Sequence, residues 1–206
     1  MRINHVVRTL IVADFFVNSG LSIFGPTFAV FVTGQIQGGS LEVVGFGAAI
    51  AQLFKVIFQV PIANYLDRNH GEYDDFYSLI AGNILIVLVP FLYFFADKAA
   101  HIYIIQAIFG LGMAMAIPPW YAIFTRHIDH FKESLEWSLD STAIGIGIAG
   151  AAALGGWLAE KVGFQNLFLI GGILASSGMV IQMMIYRDLR AKVPRGMVKP
   201  QPDRAA

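Results

Sequence analysis

Asp14 and Lys55 are ionisable side chains set inside long apolar stretches of this sequence. A charge held in hydrocarbon costs several kcal/mol, so such a residue faces a protein interior, pairs, or serves function. At about 1.5 Å of rise per helical residue, Asp14 lies roughly 8 Å inside the N-terminal end of the first stretch. Lys55 lies roughly 10–15 Å from the same side on the second. Similar depth permits an ion pair, and three readings stand: a structural or gating salt bridge, a substrate or proton role, or Lys55 extending its stem to headgroups. Asn18, Ser22, Gln52, Gln106 and Trp120 are further polar candidates for a central cavity. Each serves equally well as an interhelical hydrogen bond, worth about 0.6 kcal/mol. His127 and His130 are three apart in a polar segment with too few neighbouring ligands for a metal, so they read as solvated loop histidines. Glu136-Trp137 reads as an acid at a helix start beside an interfacial aromatic anchor. Cysteine is absent, and no Ser-His, paired-Asp or zinc constellation falls within the apolar stretches. The expectation is a protein that is not an enzyme, with no catalytic residues, metal or cofactor.

The elements that carry these side chains are read from length and hydropathy. Of 206 residues, 56% are hydrophobic and 14% charged, against roughly 25% charged in soluble domains, and mean hydropathy is +0.63. Crossing a hydrocarbon core of about 30 Å takes about 20 apolar residues. Six stretches qualify, at about 9–33, 41–65, 76–96, 101–124, 139–160 and 164–186. The fold expected is an all-α membrane protein: a bundle over 1–186 and a basic, proline-containing tail over 187–206. The N-terminal stretch has no small-residue cleavage pattern, so it reads as a retained span. Lys and Arg set orientation. One side receives Arg2, Arg8, Arg68, Arg126, Lys132 and the tail, the other only Lys98 and Lys161. Both termini are therefore expected in the cytoplasm, with the chain multi-pass in a cell (inner) membrane and in contact with lipid. A formal net charge of zero argues against a nucleic-acid partner.

The stretches repeat. Pro26-Thr27-Phe28-Ala29-Val30-Phe31 returns as Pro119-Trp120-Tyr121-Ala122-Ile123-Phe124, displaced by 93 positions, as is Asp67-Arg68 by Glu160-Lys161. Gly45-x-Gly47-x-Ala49 parallels Gly145-x-Gly147-x-Ala149, and Leu79-Ile80-Ala81-Gly82 parallels Leu169-Ile170-Gly171-Gly172. The copies are about 9–96 and 101–186. Three crossings per copy put the second copy into the membrane upside down, with Asp67-Arg68 inside and Glu160-Lys161 outside, as the charge asymmetry also requires.

Ala63-Asn64-Tyr65-Leu66-Asp67-Arg68-Asn69-His70-Gly71 resembles the cytoplasmic signature of the major facilitator superfamily, with Asp-Arg retained, Gly71 one residue late and Glu72 to Asp75 replacing the basic pair. Gln106-x-x-x-Gly110-x-Gly112-x-Ala114 is similar to the family's helix-4 motif, with Gln106 in place of an Arg. Gly147 to Phe164 is similar to the Gly-rich fifth helix of its exporters, without the usual proline. The resemblance implies half of a transporter, built as two inverted three-helix repeats, with the family's second half absent. It suggests a parallel two-fold homodimer with an unknown small-molecule substrate between protomers. Asp67, Arg68 and Gly71 would form the gating motif, Asp67 lying near the partner's fifth helix. The expected function is secondary active transport by alternating access. The alternative is a non-transporting membrane subunit or scaffold.

Overall fold

The computed structural model describes residues 3–68 and 71–189. Arg2, Asn69, His70 and the tail from Arg190 onward lie outside the described residues. Six α-helices follow one another: α1 His5–Ser22, α2 Phe28–Gln35, α3 Leu41–Leu66, α4 Tyr73–Phe94, α5 Ala99–His127 and α6 Glu133–Met183. Local chemistry starts them. The Asn4 side chain accepts the Val6 amide at 2.9 Å, and Ser40 accepts that of Val43 at 3.2 Å, filling donors that a helix N-terminus leaves open. Glu42, Asp74, Asp75, Glu133 and Glu136 lie in first turns, where the helix dipole favours acids. Pro61, Pro90, Pro118 and Pro119 sit inside continuous helices, as transmembrane bundles allow.

Among the described residues five stretches are long and apolar enough to cross a membrane, not six: His5–Gln35, Leu41–Leu66, Tyr73–Phe94, Ala99–His127 and Glu133–Asp188. The expected spans 139–160 and 164–186 are joined, because no loop separates them. Gly163 alone breaks the helical backbone, with φ 80° and ψ 165°, a region essentially restricted to glycine. At about 1.5 Å per residue a straight α6 would run more than twice the thickness of a bilayer core.

It does not run straight. Gly147 lies against Phe15 and Ser19 of α1, and Gly155 against Ile23, so numbering rises together along the two helices. Beyond the break, Gly171 lies against Gly20 and Ile23, and Gly178 against Ala13 and Val17, so numbering runs in opposition. The chain therefore turns back at Gly163, and α6 is a hairpin whose two arms both lie on α1. His5 meets Asp188 at 3.0 Å, which puts both ends of the described chain at one end of the bundle.

On the other flank, α5 packs against α3 and α4. Gly82 of α4 faces Gly112 and Ala116 of α5, backbone to backbone. Small residues let membrane helices approach this closely. Two apolar clusters hold the ends of the bundle. One gathers Val7, Leu10, Leu79, Ile123, Phe124 and Ile185 near the chain ends. The other gathers Phe24, Phe31, Val32, Ile102, Leu167 and Phe168 around the ring of Tyr93. Beyond the second cluster the loops 36–40 and 95–98 are tied by Gln37 N–H to the Asp97 carbonyl at 2.8 Å and Ala99 N–H to the Gln37 carbonyl at 3.1 Å.

Candidate functional site

Between the two clusters lies a cavity of about 480 Å³, within the range of small-molecule sites. Leu21 and Phe109, which pack against both clusters, line it. α1 contributes Asp14 and Asn18, α4 contributes Asn83, and α5 contributes Trp120 and Tyr121. The first arm of α6 adds Trp137, Asp140 and Ser141, and the second arm adds Gln182. Every one of these elements is held in place by the glycine contacts of α1 with α6 and of α4 with α5, so the helix packing fixes the cavity walls.

Three of the sequence candidates meet here: Asp14, Asn18 and Trp120. Asn18 donates to the Asp14 carbonyl at 2.9 Å, a bond within its own helix that leaves its side-chain oxygen available to the cavity. Asp14 stands within reach of Asp140 and of the Trp120 indole. The Trp120 N–H stands close to Asp14 yet closes no hydrogen bond, and Oδ1 of Asp140 likewise has none. Asn83 donates to Gln182, a buried amide pair joining α4 to the second arm of α6. The rings of Trp120, Tyr121 and Trp137 stand 5.3–5.9 Å apart, centroid to centroid, and form one aromatic corner.

Lys55 and Gln106 are elsewhere. The Asp14–Lys55 ion pair, one of the three readings, does not form, because α3 packs chiefly on α5. Lys55 is half-buried on a helix whose neighbouring Leu53, Val56 and Ile57 are exposed. Gln106 lines a second cavity of about 230 Å³ with Phe24, Phe28 and Tyr93, beside Gly47 of α3.

Asp140 was not among the sequence candidates, although it is the more buried acid, at 5% exposure. It stands at the edge of the stretch 139–160, where an acid reads as a helix start. Its placement relative to Asp14 depends on the α1–α6 packing. Asn83 and Gln182 were also passed over. Their only signal is an amide in mid-stretch, which becomes informative once the two are brought together.

The end of the bundle that carries both chain ends is rich in charge. Arg126 forms an ion pair with Asp75, whose side chain is 3% exposed. His127 is buried, contrary to its reading as a solvated loop residue. Its Nδ1 lies 3.0 Å from the Ile123 carbonyl and 3.7 Å from Glu72. His130 is exposed. Glu136 is fully buried and accepts the Asp129 amide at 3.2 Å, and Trp137 packs on Phe124 at 4.6 Å. Glu136 stands in the first turn of α6, as an acid at a helix start should, and both side chains pack against the protein. In the loop, Lys132 donates to Asp129 at 2.9 Å and holds that carboxyl below its usual value. Asp67 and Arg68 are exposed just past α3, and Gly71 is buried.

The geometry describes a half-open, mainly apolar cavity with two acids among its lining residues and no Lys, Arg or His. Compared with known proteins, residues 10–203 match the sequence profile of the Major Facilitator Superfamily. No curated protein matches the chain.

Proposed function

The chain belongs to the major facilitator superfamily and is a multi-pass membrane transporter, and from that premise we propose that it is a secondary active transporter of a small solute, working by alternating access. The observation that carries this reading is the cavity itself. Acids and amides are costly in hydrocarbon and are kept there for solute or ion pathways. Here Asp14, Asp140, Asn83 and Gln182 converge on one space.

In this reading each arm of α6 is a separate crossing, which gives six crossings in two inverted triplets. Support comes from the packing. The contact of Gly82 with Gly112 and Ala116 has a counterpart, one position out of register with the aligned repeats, in that of Gly171 with Gly20. The meeting of His5 with Asp188 favours an even number of crossings. Both ends then face the cytoplasm of a cell membrane, on the side richer in Lys and Arg.

We propose further that function requires two such halves in parallel, the second supplied by another copy. α3 and the first arm of α6 are the most open elements, and a Cβ at Gly45, Gly145 or Gly156 would meet nothing. Such bare glycines suit close approach by another helix. In this arrangement Asp67 sits at the start of the partner's first α6 arm and holds the cytoplasmic gate closed, with Arg68 and Gly71 shaping the loop.

Because the sequence has no cysteine, single Gly45→Cys and Gly145→Cys variants allow clean cross-linking in membranes. Dimer-sized products are expected, and a purely monomeric species in membranes and mild detergent overturns the dimer. Uptake into liposomes tests transport: flux is expected under an imposed gradient and should be lost in Asp14→Asn. Unchanged uptake in that variant removes the cavity from the mechanism.

A further inference from the structure

Resting on the transport reading, we infer that the cavity binds a small organic cation, a protonated amine or quaternary ammonium, between the Asp14–Asp140 carboxylates and the aromatic corner of Trp120, Tyr121 and Trp137. Charge is the first ground. Two carboxylates line one cavity, and no cationic side chain lines it with them. A carboxylate in a low-dielectric space is neutralised by a proton or by a cation, and no side chain lining the cavity provides the cation.

The second ground is the polar atoms that the cavity leaves without partners. Trp120 is 9% exposed and its indole N–H has no hydrogen-bond partner. Buried polar groups normally find partners, so an open donor against a cavity marks a place where something binds. Asp140, at 5% exposure, likewise presents an unpartnered Oδ1.

The third ground is the aromatic wall. Three rings in mutual contact line the cavity, and aromatic rings attract a cation more strongly as water is excluded. An inorganic cation would want several oxygen ligands in a tight shell. The apolar remainder of the wall, with Leu21, Ile86 and Phe109 among its members, suits an organic body instead.

The test uses benzyltrimethylammonium and its uncharged carbon isostere, neopentylbenzene, titrated into the purified full chain while Trp fluorescence is followed. Trp120 and Trp137 line the cavity and report directly. The cation should bind at least about tenfold tighter than the isostere. Asp14→Asn and Asp140→Asn should each abolish that preference, and Asp140→Glu should retain much of it. Equal affinity of cation and isostere in the unmodified protein overturns the assignment without recourse to any variant. So does a preference that survives in well-folded Asp14→Asn and Asp140→Asn proteins.

Liposome flux separates this inference from the reading beneath it. Cation binding with no flux under any gradient leaves the site standing and removes the transporter. Flux of other solutes with no cation preference removes the site and leaves the transporter.

Discussion

The glycine contacts make a quantitative claim about the two flanks of the bundle. A methyl carbon added at Gly82 would stand 2.6 Å from both the Gly112 carbonyl oxygen and the Ala116 nitrogen, and 2.9 Å from the Ala116 Cβ. At Gly171 it would stand 2.6 Å from the Gly20 carbonyl oxygen and 2.9 Å from Ile23 Cγ2. Ordinary contact begins near 3.4 Å, so each helix pair must part by about 0.8 Å, forfeiting dispersion along the whole seam. Because the obstructing atoms are backbone, no rotamer change relieves the clash. Overpacking of this kind costs about 1–3 kcal/mol, so Gly82→Ala and Gly171→Ala should each lose about that much. Gly45→Ala and Gly145→Ala meet open space within the protomer and, in the dissociated chain, should be neutral or gain up to about 1 kcal/mol from helix propensity. Reversible unfolding in mixed micelles, followed by circular dichroism, measures all four. Equal stability across the two sets refutes the packing. Loss at Gly82 without loss at Gly171 refutes the close backbone approach of α1 and the second arm of α6.

Two more outcomes follow from single contacts. Arg126→Gln leaves the nearly buried Asp75 carboxylate without its partner and should cost about 3–5 kcal/mol; adding Asp75→Asn should recover most of this in the same unfolding assay. Gly163→Ala places a Cβ where φ is 80° and ψ 165°, at a cost of about 1–3 kcal/mol, and a variant as stable as the parent means that the hairpin does not turn there.

Much of this was legible in the sequence, because bilayer thickness converts directly into residue count. Apolar runs of about 20 residues located the helices to within a few residues, as at Leu41–Leu66 for the expected 41–65. The number of separate stretches was not legible. The loop between the last two runs is nearly absent, and one glycine with positive φ replaces the polar segment that marks every other boundary. Side-chain partners were less legible still. Equal depth on consecutive helices suggested Asp14 with Lys55, but depth fixes only one coordinate. Rotation about each helix axis and the choice of neighbour are set by which small residues allow backbones to touch.

The sequence by itself therefore determined a membrane protein of apolar helices, and its motifs pointed to its family, because hydropathy and local spacing act along the chain. Asp14, Asn18 and Trp120 were visible as polar residues in apolar surroundings for the same reason. Only the tertiary structure decided that Asp14 faces Asp140 and an aromatic corner, and that Lys55 and Gln106 stand apart from it. Such contacts depend on close packing between residues more than a hundred positions apart, and no local pattern specifies that.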